Sequence, residues 1–349
     1  MINDKGIFIK NIYYMLTYAF QVLKQTNYEN IASEEFDKIE DLFAAILAKG
    51  ISQQLKQGLH KEYISKQENL PLLRGKLEIN GTIKNRIQQK QVLSCEFDEL
   101  SVNNIYNQIL KTTVHYLIKN SNVSTERKQE LRKVMLFFEN IDVVVPFNIR
   151  WNRIRYHRNN RTYEMLLNIC YFVLVGMLQT TEKGEYYMAA FSDDHMAALY
   201  EKFILEYYRQ HHSELNPSAA YVEWNLDEDN DDTAIKFLPN MKTDIMLKKG
   251  DRTLIIDAKY YTHTMQQNFD KYSLHSANMY QIFAYVKNMD KNSTGKVSGV
   301  LLYAKTEETI TPDYKYSIGG NIISANTLDL SKDFKIIEEK LENLITENL

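Results

Sequence analysis

Apolar positions recur with a helical period through most of the first half of the chain. Asn11 to Leu23 (NIYYMLTYAFQVL) sets Ile12, Met15, Leu16, Ala19 and Leu23 on one face. Asp41 to Leu55 repeats the pattern with Leu42, Ala45, Ile46 and Ile51. From His60 to Asp98 the period changes: Arg74-Gly75-Lys76 interrupts it, and Gly75 to Ile79 and Val92 to Phe97 alternate like short strands. Ser101 to Asn120 returns to a helix with Ile105, Ile109, Leu110 and Val114 inward, and Glu126 to Phe138 gives another.

The second half has a different rhythm. Asp194 to Gln210 reads as a long amphipathic helix and Tyr221 to Trp224 as a short strand. The acidic run Asp227, Glu228, Asp229, Asp231, Asp232 reads as a solvated loop, because neighbouring carboxylates repel. Strands are predicted at Lys242 to Lys249, Thr253 to Tyr261 and Val297 to Ala304, with helices at Asn278 to Met289 and Phe334 to Ile345. That order predicts an α/β (α+β) chain: a mixed, largely helical first domain with short strands, then an α/β domain.

Composition narrows the class. The length of 349 residues suits about two domains. Forty-two Lys and Arg against 45 Asp and Glu leave a net charge of −3, which excludes a uniformly basic nucleic-acid coat but not a local patch. Cys95 and Cys170 show no CxxC spacing, so no disulfide framework or zinc ribbon is expected. The apolar stretch Ile169 to Leu178 falls short of the roughly 20 residues a bilayer requires and reads as a buried helix. With no signal-peptide pattern in Met1 to Lys10, a cytoplasmic protein without membrane contact is expected. The 24 tyrosines fit buried rings with partnered hydroxyls or rings that stack on bases; composition does not separate the two.

A domain boundary is expected between Val145 and Arg161, where Pro146 precedes RWNRIRYHRNNR. Arg150, Arg153, Arg155, Arg158 and Arg161 lie there beside Trp151, Tyr156 and His157. The strip reads as a solvated linker, as a phosphate-contacting surface, or as a partner contact.

Chemistry concentrates in Lys242 to Tyr261 (KTDIMLKKGDRTLIIDAKYY). Gly250-Asp251 reads as a two-residue hairpin turn flanked by Lys249 and Arg252. Paired residues in such a hairpin share a constant sum, which sets Asp244 opposite Asp257 with Cβ atoms about 5 Å apart. Alternation places Lys259 on the same face, while Ile245, Leu247, Leu254, Ile256 and Ala258 make the other face wholly apolar. Two carboxylates at that spacing repel by roughly 3 kcal/mol at an effective dielectric near 20. Either one is protonated or a cation lies between them, and an oxygen-rich pair favours Mg²⁺, with Mn²⁺ as the second option. Lys259 is placed to orient or deprotonate a water, or to neutralise charge on a phosphorane. Metal-assisted phosphodiester hydrolysis uses all three groups. Glu201, on the preceding helix, is a candidate to reach the metal through water. Gln281, with Tyr285 one turn later, is a candidate to position substrate. No GxxxxGK[ST], HExxH, GxSxG or GxGxxG occurs, so no nucleotide is expected to bind this chain itself.

Asp244 with Asp257-Ala258-Lys259 resembles the D…(D/E)xK core of the PD-(D/E)xK nucleases, although the usual proline is replaced by Thr243. NIYYMLTYAF at Asn11, GKLEINGTIK at Gly75, TDI at Thr243, LIIDAKYY at Leu254 and NMYQIFAY at Asn278 resemble the McrC family. These are nuclease subunits of McrBC-type modification-dependent restriction systems. The resemblance covers nearly the whole chain. It implies a restriction-endonuclease-like domain with a central mixed sheet flanked by helices at 161–349, and a domain at 1–160 that binds and stimulates a partner. It further implies an McrB-like AAA+ GTPase hexamer as partner and double-stranded DNA with modified cytosine as substrate. Asp244 and Asp257 would then be metal ligands, and Asp244, Asp257, Lys259, Glu201 and Gln281 the catalytic set. Two alternatives are a non-catalytic GTPase activator with a vestigial core and a stand-alone metal nuclease.

Overall fold

The computed structural model describes residues 9–19, 31, 34, 36, 38–156, 161–176, 178–180, 186–188, 193–226, 235–260, 266–268, 271–305 and 311–349. The chain forms two compact units, Met1–Ile39 together with Ala189–Leu349, and Glu40–Met188.

Helix α1 (Ile9–Ala19) belongs to the first unit although it opens the chain. Asn11, one of its buried positions, donates through Nδ2 to the Leu330 and Lys332 carbonyls at 2.8 and 2.7 Å. Tyr18 packs its ring against Phe203 and Phe334, 5.6 and 5.7 Å between centroids. These contacts join α1 to chain more than 180 residues away, and local periodicity carries no signal of them.

The second unit holds α2 (Ile39–Gln57), strands β1 (Glu62–Leu70) and β2 (Lys76–Leu77), and α3 (Ile79–Ile87). Strand β3 (Leu93–Ser101) pairs antiparallel with both β1 and β2. Helices α4 (Ile105–Lys119), α5 (Thr125–Met135) and α6 (Arg161–Tyr171) follow, and a π-helical segment, Phe172–Gly176, continues α6. Glu78 caps α3 through the Asn80 and Gly81 amides, a helix that the strand-like alternation around it hides. The buried Tyr163 hydroxyl of α6 donates to Asn107 Oδ1 of α4 at 2.8 Å and accepts the His60 amide at the same distance. That network holds α6 in the second unit, so the division expected at 160/161 falls inside it. The unit instead runs on through a short hairpin, β4 (Leu178–Thr180) with β5 (Tyr186–Met188).

The rest of the first unit is the α/β domain. It comprises α7 (Asp193–His211), the short pair β6 (Tyr221–Val222) and β7 (Met241–Lys242), and the hairpin β8 (Ile245–Lys249) with β9 (Arg252–Tyr260). A small hairpin, β10 (Gln266–Asn268) with β11 (Lys271–Ser273), precedes α8 (Ser276–Met289). Then come β12 (Val297–Lys305), β13 (Tyr314–Ile318), β14 (Asn321–Asp329) and α9 (Phe334–Asn348). The five-stranded sheet runs β13-β14-β12-β9-β8. Strand β12 is parallel to β9 and β14, while the outer strands are antiparallel to their neighbours. Helices α7, α8 and α9 pack against it. This is the expected central mixed sheet flanked by helices. Strands β13 and β14 add to the sequence reading.

Helix α8 lies close over β12 because Gly299 has no side chain: a Cβ there would meet Val286 Cγ2 at 2.7 Å and Ile282 Cγ1 at 2.8 Å. Ile282, Tyr285 and Val286 share one core cluster with Met246, Ile255, Leu301 and Tyr303. The hairpin is therefore buried on both faces, not on one. Strand β9 lies inside the sheet and α8 covers the face that was expected to be polar.

Candidate active site

The hairpin ladder has the expected register. Lys249 pairs with Arg252 and Ile245 with Ile256, the constant sum expected, and the ladder ends one residue short of Asp244. The single expected strand Lys242 to Lys249 is interrupted, because Thr243 and Asp244 leave the ladder between β7 and β8. Buried Thr243 binds Ala220 instead, donating its amide at 2.9 Å and its hydroxyl at 3.0 Å to the Ala220 carbonyl. With the chain turned there, Asp244 Oδ2 accepts the Ala258 amide at 2.9 Å.

Asp257 is 0% exposed. Neither of its carboxylate oxygens accepts a well-formed hydrogen bond from the described residues, although Lys259 Nζ stands 2.8 Å from Oδ2 as an ion pair. Burial pushes the Asp257 carboxyl up to about 7; the Lys259 charge opposes that rise and Asp244 adds to it. Glu201 on α7 also rises to about 7, chiefly from burial and then from the charge of Asp244, while Lys259 and Lys242 pull it down. Thus Glu201 lies within the electrostatic reach of the pair. Two carboxyls raised toward neutrality, chiefly by burial, lie in the field of one ammonium, a pattern typical of functional sites.

Lys259 Nζ donates to Gln281 Oε1 at 3.2 Å, Gln281 Nε2 donates to the Tyr285 hydroxyl at 2.8 Å, and that hydroxyl donates to the Lys242 carbonyl at 3.0 Å. Asp244, Asp257, Lys259, Gln281 and Tyr285 therefore converge at one end of β9, with Glu201 in their field. Lys242 enters through its main-chain carbonyl, for which no side-chain pattern gives a signal.

The Arg strip lies in the other unit. Arg150, Arg153 and Arg155 are exposed, and Arg155 Nη1 donates to the Asn152 carbonyl at 3.2 Å. Arg161 opens α6, while His157 and Arg158, like the acidic run Asp227 to Asp232, lie outside the described residues. Trp151 packs edge-on against Tyr171, 4.9 Å between centroids, so at least this aromatic serves packing.

Among the described residues no group of three His, Cys, Asp or Glu closes a metal site. Two carboxylates are what the hairpin offers. Mg²⁺ fits that set, since it keeps several waters and is held through one or two carboxylates. Oδ1 of buried Asp257 has no hydrogen-bond partner among the described residues, while Oδ2 is paired with Lys259, and that unfilled acceptor is the local reason for a cation to bind there. No helix among the described residues is long and apolar enough to cross a membrane.

Residues 4–304 match the family described as McrBC 5-methylcytosine restriction system component. The chain is similar to the type IV methyl-directed restriction enzyme EcoKMcrBC of Escherichia coli K12, 26% identical over 343 residues and covering 98% of each chain. Among solved structures it is similar to an assembly of Thermococcus gammatolerans McrB AAA+ hexamers with bound McrC. The identity is 17% and the TM-score 0.46, covering 94% of this chain and 75% of that one. It is also similar to the cryo-EM McrBC complex of the same organism, with 18% identity, a TM-score of 0.42, and 59% and 60% covered. With some 300 consecutive residues matched, this chain belongs to the McrBC 5-methylcytosine restriction system component family.

Proposed function

We propose that this chain is the DNA endonuclease subunit of its restriction system and hydrolyses phosphodiesters with Mg²⁺, or Mn²⁺ in its place. The observation that carries the reading is the convergence of Asp244, Asp257 and Lys259 at the end of a strand buried on both faces. Asp244 and Asp257 would hold the ion. When bound, it neutralises charge on the scissile phosphate and makes water more acidic.

The remaining chemistry belongs to side chains. The Lys259 ammonium, 2.8 Å from Asp257, is placed to orient the attacking water or to neutralise charge developing on phosphorus. Glu201, with its carboxyl near 7, exchanges a proton readily at neutral pH and is suited to hold or relay one from water. Gln281 holds Lys259 through Oε1.

The family membership supports DNA carrying modified cytosine as substrate and an McrB-like AAA+ GTPase as partner. The sequence has no nucleotide-binding motif of its own, which fits a subunit delivered to DNA by a separate motor. A cytoplasmic location follows from that role.

The test is cleavage of plasmid DNA, with and without cytosine methylation, by purified chain with Mg²⁺, the AAA+ partner and GTP. Cutting confined to methylated DNA with partner and GTP, and absent in Asp257→Ala, is the expected result. Cutting by the chain alone would discard the partnership. Retained cutting in Asp257→Ala would discard the site.

A further inference from the structure

We infer that Tyr285 is a positioning residue: its hydroxyl fixes the sense of the Gln281 carboxamide and, through it, the placement of the Lys259 ammonium. The inference rests on the proposed nuclease reading for its consequence, and on hydrogen-bond polarity for its content.

The polarity begins at a main-chain carbonyl. The Lys242 carbonyl can only accept, so the Tyr285 hydroxyl, 3.0 Å away, spends its one proton there. The phenolic oxygen then accepts, and Gln281 Nε2 donates to it at 2.8 Å. A carboxamide so held turns its oxygen the other way, and Oε1 faces Lys259 Nζ at 3.2 Å. An ammonium only donates, so this sense satisfies every group. In the reverse sense the Gln281 NH₂ would face the ammonium, donor against donor. One polarity therefore runs from Lys259 to the backbone two residues before Asp244.

The anchor points are placed by main-chain pairing and packing. Lys242 pairs with Tyr221 in the β6–β7 ladder. Gln281 and Tyr285 are one turn apart on α8, which Gly299 admits close to β12. Tyr285 is 6% exposed within the core cluster, so packing sets its ring and the hydroxyl arrives at a defined place. A phenylalanine would fill the same volume. What the hydroxyl adds is the direction of the amide, and a flexible lysine gains most from such support. Bonds in a chain of one polarity also strengthen one another.

The test uses the full chain with its AAA+ partner, GTP, Mg²⁺ and methylated plasmid, comparing Tyr285→Phe, Gln281→Leu and the double variant. Tyr285→Phe is expected to lower kcat about ten-fold, as loss of one productive hydrogen bond in the transition state would, with KM within about two-fold. Gln281→Leu should cost about as much, and the double variant no more than either. In the metal-free chain, ¹⁵N-glutamine spectra should show the Gln281 carboxamide signals moving to solvent-exposed positions in Tyr285→Phe. A wild-type kcat in Tyr285→Phe, multiplying losses in the double variant, a loss carried by KM, or unmoved carboxamide signals would each overturn the inference. If the wild-type assembly does not cut DNA, the nuclease reading fails, and the carboxamide signals still decide the positioning role.

Discussion

Asp244, one residue before the Ile245–Ile256 rung that ends the β8–β9 ladder, accepts through Oδ2 the main-chain amide of Ala258, two residues beyond it, at 2.9 Å. A side chain thus takes over the pairing where strand β8 begins, and the Asp244 carboxylate is held against the strand that carries Asp257. The hydrogen bond keeps a second carboxylate beside buried Asp257, whose ionised form costs free energy chiefly through burial, with Asp244 adding to that cost and Lys259 opposing it.

That cost should be visible as pH-dependent stability. Asp257 rises from 3.8 to about 7 on folding and Glu201 from 4.5 to about 7, both mainly from burial. The folded chain therefore binds more protons between the unfolded and folded values. Stability falls as pH rises through that window, and the loss is complete above about 7. His212 contributes with the same sign: burial lowers its pKa, but hydrogen bonds to Glu342 and Glu214 outweigh burial and raise it overall. Asp257→Asn fixes the neutral form at that one position. In thermal melts with chelator, its Tm should come closest to wild type below about pH 4, draw ahead as pH rises through the window, and exceed it by several degrees at pH 8. A gap that ignores pH would contradict the assignment. Mg²⁺ at pH 8 should raise the wild-type Tm and leave Asp257→Asn unmoved.

Lys259→Ala should lower cleavage by roughly a hundred-fold or more, since a preorganised cation at the reacting centre is lost. Its melting at pH 6 should stay close to wild type, because the buried Asp257 carboxyl takes up a proton when its counter-charge goes. Plasmid nicking and calorimetry on one preparation check both halves.

The exposed Arg150 and Arg153 offer a cleaner question than the whole strip. Reversing both to Glu should weaken DNA binding and reduce its salt slope by about two, the number of phosphate contacts removed. Assembly with the AAA+ partner, followed by light scattering, should be unchanged. Normal DNA affinity with failed assembly would assign this surface to the partner instead.

In the second unit the GKLEING segment is a folding element. Gly75 has φ of +69°, and a Cβ there would clash with the Glu96 carbonyl and meet Phe97 Cβ at 2.6 Å. Gly75→Ala should therefore destabilise this unit by more than about 1 kcal/mol, whereas Glu78→Ala, which removes the α3 cap, should cost about 1 kcal/mol. Hydrogen exchange of the β1–β3 amides should report both in that order. Equal protection in Gly75→Ala and wild type would exclude the steric argument.

The sequence alone determined whatever short-range periodicity controls. The Gly250-Asp251 turn fixes the register, and the register brings Asp244 and Asp257 together with Lys259 on their side. The helices of the α/β domain likewise begin and end within a few residues of where apolar spacing puts them. Tertiary structure decided the rest. Strand β9 was recognisable as half of a hairpin, but only pairing with β12 and cover by α8 bury both its faces, and that burial raises the Asp257 carboxyl. Gln281 stands 22 residues from Lys259, and their contact depends on how closely a helix approaches a sheet. The first helix joins a unit whose larger part is Ala189–Leu349, through Asn11 and Tyr18, and α6 remains with the second unit through Tyr163. Periodicity marks which face of an element is apolar. Which partner covers that face is settled by contacts between distant segments, and these have no local signature.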